Sequence, residues 1–104
     1  MLARLFTPGE VEYARRHGDM TMRLAARYAA KEATMKALGV GLGAFPFTDV
    51  EVLTSASGAP SISVTGAARA RAKECAVGSW HLSLSHTNAT AVAVALALAE
   101  AHRP

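Results

Sequence analysis

Residues 27–37 combine one acid with several bases at helical spacing. Their sequence, Arg-Tyr-Ala-Ala-Lys-Glu-Ala-Thr-Met-Lys-Ala, sets Glu32 among alanine, tyrosine and methionine side chains on a predicted helix. Lys36 lies one turn after Glu32, and Arg27 and Lys31 lie on a neighbouring strip. A carboxylate in apolar surroundings needs a cation or a metal, so the pattern suits a metal-bound ligand that carries phosphates. The alternative is a Glu32–Lys36 pair on a solvated face, worth about 0.3–0.5 kcal/mol.

The segment Ser-Leu-Ser-His-Thr, residues 83–87, is the second candidate for chemistry. His86 ends a predicted strand, where loops often present functional side chains. Because no acid is near it in the sequence, a Ser/His/Asp triad is unsupported. His81 and His86 also lack the spacing of zinc ligands. The alternative for His86 is a turn histidine that hydrogen-bonds the backbone.

Helices and hairpins must position these residues. A capping box, Thr7-Pro-Gly-Glu10, opens the first helix, and the glycine-rich stretch 39–43 predicts the end of the second helix rather than a phosphate loop. The predicted helices span 8–17, 19 or 21 to 38, and 66–76. The predicted strands span 49–54, 61–65, 80–85 and 89–99, with a turn at 86–88.

This order, ααββαββ, predicts an α+β fold with an antiparallel sheet packed against helices, in a single domain over residues 1–104. In the last strand, valine and leucine share one face with Thr90, and alanine fills the other. Half of the residues are hydrophobic, but alanine supplies much of that number. The core is therefore expected to be thin, which favours self-association.

The positive charge is concentrated near the start of the chain. Residues 1–36 hold seven Arg or Lys against four acids, while the remainder holds four of each, which gives the net charge of +3. This distribution predicts an acidic partner. Six aromatic residues and no recognition motif argue against nucleic acid.

The sequence also suggests the cellular compartment of the protein. The single Cys75 is expected to fill apolar space and fits a reducing compartment. The apolar run 89–99 is too short to span a bilayer, and no signal-peptide pattern is present. We therefore expect a cytoplasmic protein without membrane attachment.

Taken together, the motifs at residues 27–37 and 80–87 resemble the holo-acyl-carrier-protein synthases, the small trimeric group of 4′-phosphopantetheinyl transferases. The similarity runs through nearly the whole chain in order. It includes four further segments: Arg-Leu-Phe-Thr-Pro-Gly-Glu at 4–10, Leu-Gly-Val-Gly-Leu at 38–42, Asp-Val-Glu-Val at 49–52 and Gly-Ala-Pro at 58–60. The resemblance implies a trimer-forming domain with half of the phosphopantetheinyl-transferase type fold.

The resemblance also implies an activity, the Mg²⁺-dependent transfer of 4′-phosphopantetheine from coenzyme A to a serine of an acidic acyl carrier protein. Adenosine 3′,5′-bisphosphate is released, and the carrier serves fatty-acid, polyketide or peptide synthesis. Glu32 is then the metal ligand and a catalytic group, and Lys36 stabilises the charge that moves. Arg27 and His86 lie near the coenzyme A phosphates, with His86 acting across a subunit boundary. The carrier protein would bind Arg4, Arg15, Arg16 and Arg23.

The chain departs from the family at its beginning. Family members start with a strand of the type Gly-Ile-Gly-Ile-Asp-Ile, whose Asp is the other protein ligand to Mg²⁺. Here the Arg-x-Phe-Thr motif begins at Arg4, so the domain is short at its N-terminus relative to the family. The alternative function is therefore a relative that binds the carrier protein or coenzyme A with weak or no turnover. A nucleic-acid-binding basic module is the third possibility.

Overall fold

The structure is a computed structural model that describes residues 2–87 and 90–99. Two positions of the predicted last hairpin, Asn88 in the turn and Ala89 at the start of the strand, lie outside the described residues. The α+β class predicted from the sequence is confirmed.

The helices begin and end close to the predicted positions. They are α1 (Leu2–Leu5), α2 (Pro8–Arg16), α3 (Met20–Ala37) and α4 (Gly66–Glu74), with one 3-10 turn at Phe47–Asp49. The predicted capping box is confirmed, and Asp19 rather than Thr21 caps α3. The short helix α1 was not predicted, because four residues carry no helical period. In the described ranges no helix is both long and apolar enough to cross a bilayer.

The strands form two separate antiparallel hairpins rather than one sheet. Strand β1 (Val50–Thr54) pairs with β2 (Pro60–Val64), and β3 (Val77–His86) pairs with β4 (Ala91–Ala99). Strand β3 begins three residues earlier than predicted, because α4 ends at Glu74 and a bulge between Val77 and Ser79 follows the turn. The two hairpins and the helices around them enclose the core.

The core is built where α3 meets the 3-10 turn, β1 and α4. Aromatic and aliphatic side chains supply its volume, and alanines let the helices approach closely. The buried cluster comprises Met35, Leu38, Phe45, Phe47, Val50, Ala68 and Ala72. Strand β4 turns its alanine face toward α3.

The valine and leucine residues of β4 share one face, as the alternating sequence predicts, and this face is exposed. Val92, Val94 and Leu96 are each about half exposed, at 53%, 52% and 53%, as is Leu98 at 48%. Across the hairpin, Ser83 pairs with Val94 in register. A row of exposed apolar side chains of this kind is typical of a surface that contacts another protein.

A buried ion pair joins α2, α3 and β1. Glu10 is 1% exposed and Lys31 is fully buried, and Lys31 Nζ lies 2.7 Å from Glu10 Oε1. Glu10 does more than cap α2, because its Oε2 accepts a hydrogen bond of 2.9 Å from the Val52 N–H. Lys31 also donates to the carbonyls of Phe47, at 3.0 Å, and Val50. Burial lowers the pKa of Lys31, and the hydrogen bond to Glu10 opposes this shift.

Removing Lys31 should therefore destabilise the fold strongly. We expect Lys31→Met to lower the free energy of unfolding by about 3–5 kcal/mol, because it leaves the Glu10 carboxylate buried and unpaired. Urea unfolding at one protein concentration measures this. The matched control is Lys36→Met on the same helix, where the lysine is exposed and a change within about 0.5 kcal/mol is expected.

The double variant Glu10→Gln with Lys31→Met distinguishes a lost ion pair from a lost packing contact. Removing both charges should recover part of the stability that Lys31→Met alone loses. If Lys31→Met and Lys36→Met unfold at the same urea concentration, the pair does not hold the fold together.

Candidate active site

Arg27 is a buried cation without a carboxylate partner among the described residues. Its side chain is 2% exposed. Nη2 donates to Thr54 Oγ1 at 3.0 Å, and Nη1 donates to the Arg23 carbonyl at 3.4 Å. Its Nε has no hydrogen-bond partner. Burial lowers the pKa of Arg27, while Tyr13 and Glu10 raise it, so the guanidinium is a positive charge that a bound anion would stabilise.

A cavity of about 290 Å³ has Arg27 in its wall, and Arg23, Thr54 and His86 also line it. Arg23 is held there because its Nε donates to the His17 carbonyl at 2.9 Å. His86 reaches the cavity from the last residue of β3. Two guanidinium groups and an imidazole around one opening suit a ligand that carries negative charge.

The alternative role for His86 was a hydrogen bond from its side chain to the backbone of the turn. Among the described residues the His86 side chain forms no such bond. The structure thus brings together Arg27 and His86, two of the residues that the sequence assigned to coenzyme A. Both lie in the wall of one cavity of a single chain.

Glu32 and Lys36 line a different and much smaller depression, of about 40 Å³. Met35, Val40 and Leu42 supply its apolar surface, and of these only Met35 was among the apolar neighbours predicted for Glu32. Glu32 is half-buried and Lys36 is exposed. Within the described ranges Glu32 forms no ion pair, and so the surface pair with Lys36 is absent. The carboxylate is available for a cation or a proton.

Lys31 does not belong to this group, contrary to the expectation of several accessible cations on one helix. Its ammonium is turned inward onto Glu10 and two backbone carbonyls. A tertiary partner on α2, rather than the local pattern, determines the direction of this side chain.

The two groups of candidate residues lie on opposite sides of α3. Lys36 follows Arg27 by nine residues, which in an α-helix is a rise of about 13 Å and a rotation of about half a turn. The cavity of Arg27 and the depression of Glu32 and Lys36 share no lining residue. One compact ligand therefore cannot contact Arg27 and Lys36 of the same chain around this helix.

The four arginines predicted to bind a carrier protein do not form one set. Arg4, Arg15 and Arg16 are exposed on α1 and α2, and Glu12 pairs with Arg16 at 2.8 Å and with Arg15 at 3.7 Å. Arg15 also borders an apolar depression of about 620 Å³. Arg23 instead lines the cavity of Arg27.

Sequence reasoning missed Tyr13 and Thr54, which both contact the Arg27 guanidinium. Tyr13 and His17 are four residues apart on α2, so a ring contact could have been noticed. No local signal identifies Thr54, because it reaches Arg27 from β1 through the tertiary fold.

No group of three or more His, Cys, Asp or Glu side chains that could hold a metal occurs within residues 2–87 and 90–99. Among the described residues, Glu32 is a half-buried carboxylate with neither an ion-pair partner nor a hydrogen-bond donor, whereas the half-buried Asp49 and Glu51 accept hydrogen bonds. Mg²⁺ is commonly held by one or two carboxylates together with phosphates and water. The residues therefore fit a Mg²⁺ ion that arrives with a phosphate ligand, with Glu32 as the protein ligand.

Curated relatives are similar over about half of the chain. The chain is 54% identical over 52 residues to the holo-[acyl-carrier-protein] synthase of Moorella thermoacetica, a match that covers 50% of this chain and 41% of that protein. The chain thus spans about two fifths of the length of this relative.

Solved structures extend the similarity to nearly all of the chain. The Chronobacterium ammoniagenes ACPS–CoA complex superposes with a TM-score of 0.83 at 29% identity, covering 94% of this chain and 80% of that one. Helicobacter pylori holo-[acyl-carrier-protein] synthase in complex with coenzyme A gives 0.80 at 28%, covering 93% and 80%. The model of the 4′-phosphopantetheinyl transferase superfamily matches residues 1–97. With motifs, fold and family model in agreement, the chain belongs to the 4′-phosphopantetheinyl transferase superfamily.

Proposed function

We propose that this chain transfers 4′-phosphopantetheine from coenzyme A to a serine of an apo acyl carrier protein, in the cytoplasm, with Mg²⁺. The observation that carries the proposal is the accessible Glu32–Lys36 depression together with the cationic cavity of Arg27 and His86. The names of the relatives, and the coenzyme A complexes among them, support this choice of substrates.

Glu32 and Lys36 would act on the reacting groups. The serine oxygen bonds to the phosphorus on the pantetheine side of the pyrophosphate, and the bond from that phosphorus to the bridging oxygen breaks. Adenosine 3′,5′-bisphosphate leaves with the bond's electrons. Glu32 would accept the serine proton, and Lys36 would stabilise the negative charge on the leaving phosphate. Mg²⁺ held by Glu32 would supply further positive charge at the phosphates.

Arg27 and His86 would bind phosphates of coenzyme A at some distance from the reacting bond. Because Arg27 and Lys36 are on opposite sides of α3, we propose that a complete site combines the Glu32–Lys36 depression of one copy with the Arg27–His86 cavity of another. His86 then acts across a subunit boundary, as the sequence resemblance implies.

The homotrimer that the sequence resemblance implies has a candidate contact surface, the exposed row Val92, Val94, Leu96 and Leu98 on β4. The described residues of β3 and β4 place no Asp, Glu, Lys or Arg on either strand. Copies of the row can therefore meet without charge repulsion and bury apolar area.

The acidic carrier would approach the exposed arginines of α1 and α2, Arg4, Arg15 and Arg16. Helices of opposite charge are attracted before contact, which accelerates association and makes it sensitive to salt. Arg23 lies at the cavity instead, and we propose that it contributes to coenzyme A binding.

A binding protein without turnover is the second candidate. It is favoured by one observation, that Glu32 is the single carboxylate in its depression among the described residues. With one protein ligand, Glu32, the chain would hold Mg²⁺ weakly. Coenzyme A would then bind through Arg27 and His86 while transfer remained slow.

Transfer is tested by the mass of the carrier protein after incubation with coenzyme A and Mg²⁺. We expect the carrier to gain the mass of the phosphopantetheine arm. Glu32→Ala and Lys36→Ala should each lower the rate by about 10²–10³-fold, the usual cost of losing one charge-stabilising group. Lys73→Ala is the matched control, since Lys73 is exposed on α4 outside both sites, and it should react like the wild type.

Removing Mg²⁺ with a chelator should abolish the gain of mass. A carrier whose mass stays constant at high enzyme concentration contradicts the transferase proposal. Calorimetric binding of coenzyme A in that same sample would then establish the second candidate.

A site shared between copies predicts complementation between two inactive variants. Glu32→Ala and His86→Ala should each be strongly impaired alone, yet trimers formed by co-expressing them should be active. If copies mix at random, about a quarter of the sites receive Glu32 from one chain and His86 from its neighbour, so about a quarter of wild-type activity is expected. Mixed trimers no more active than the separate variants would place both residues in a site within one chain.

A further inference from the structure

Three planar groups are stacked beside the cavity of Arg27. The Arg27 guanidinium carbon lies 4.3 Å from the centre of the Tyr13 ring. His17 stacks on the same ring, with its centroid 4.0 Å away and its plane inclined by 15°. The His17 ring is held in turn, because its Nδ1 lies 2.8 Å from the Tyr13 carbonyl oxygen.

We propose that Tyr13 is a positioning residue for coenzyme A binding, which holds the Arg27 guanidinium in place at the cavity. The inference rests on the proposed function, since it concerns the same site. The proposal adds Tyr13, a residue that none of the motifs contains. Tyr13 would act by positioning Arg27 and would not touch the reacting atoms.

An aromatic ring suits this role better than a carboxylate does. A carboxylate beside Arg27 would neutralise the guanidinium and occupy its N–H groups, so that a phosphate would have to compete for them. The face of a ring attracts the cation and leaves the N–H groups in the guanidinium plane to donate. The hydrogen bonds to Thr54 and to the Arg23 carbonyl fix the group within that plane.

Tyr13 also takes part in the electrostatic balance at Arg27. Burial opposes the charged form of Arg27, and Tyr13 and Glu10 support it. Glu10 is already paired with Lys31 at 2.7 Å, whereas the Tyr13 ring contacts the guanidinium directly, beside its hydrogen bonds to Thr54 and the Arg23 carbonyl.

Calorimetric titration with coenzyme A tests the inference. Tyr13→Leu should weaken binding by about 3- to 30-fold, the range that corresponds to loss of a cation–π contact. Tyr13→Phe keeps the ring face and should bind within about twofold of wild type. The effect should appear in KM for coenzyme A, with kcat nearly unchanged. Tyr13 lines the cavity of Arg27 and does not line the depression of Glu32 and Lys36.

A double-mutant cycle separates positioning from general destabilisation. In an Arg27→Met background, adding Tyr13→Leu should cause no further loss of coenzyme A affinity, because the group that Tyr13 holds is already gone. Phe45→Leu is the control for loss of an aromatic ring: Phe45 belongs to the core cluster, so this variant should unfold more easily yet bind coenzyme A normally.

If Tyr13→Leu does not fold, His17→Ala provides the test, because His17 is exposed. Loss of its stacking should weaken coenzyme A binding by about twofold or more. Additive effects of Tyr13→Leu and Arg27→Met, or unchanged affinity in both Tyr13→Leu and His17→Ala, would overturn the inference and leave the proposed function intact. A wild-type protein that does not bind coenzyme A overturns both.

Discussion

The ion pair between Glu10 and Lys31 determines how α3 is rotated in this fold. Lys31 is fully buried and points at α2 and β1, and in a helix that single constraint sets the direction of all its neighbours. Arg27, one turn earlier, must face the same side and reaches Thr54 on β1. Glu32 is turned by about 100°, and Lys36 emerges on the far side. A different rotation of α3 would bury the carboxylate and expose the guanidinium.

Local patterns were sufficient to predict most elements. The capping box gave the start of α2, and the alternation of apolar residues with alanine gave the two faces of β4. Lys31 could not be placed in this way, because its burial depends on Glu10, which is 21 positions earlier, and on the carbonyls of Phe47 and Val50. An isolated helix would favour a solvated lysine, and only tertiary acceptors reverse that preference.

The candidate residues were proposed from the sequence, but their arrangement in space could not be predicted from it. Motifs identified Glu32, Lys36, Arg27 and His86, and helical geometry alone gives the half-turn between Arg27 and Lys36. What the sequence could not provide is the surface that each side of α3 meets. The β1–β2 and β3–β4 hairpins bring Thr54 and His86 to the side of Arg27, and the loop after α3 encloses Glu32 and Lys36 instead.

Two features of the chain are unfavourable in isolation, and they concern the same assembly. The buried Arg27 guanidinium lacks a carboxylate partner within the described residues, and β4 exposes a row of valine and leucine to water. An unpaired buried charge and an exposed apolar row both cost free energy. A phosphate ligand would pair with the Arg27 guanidinium, and further copies of the chain would cover the apolar row. Glu32 and Lys36 also lie on the side of α3 away from Arg27, so completing the site would require a second copy of the chain. A copy that covers the apolar row would be a neighbour of this kind. Local violations of this kind are expected where binding energy is used for function.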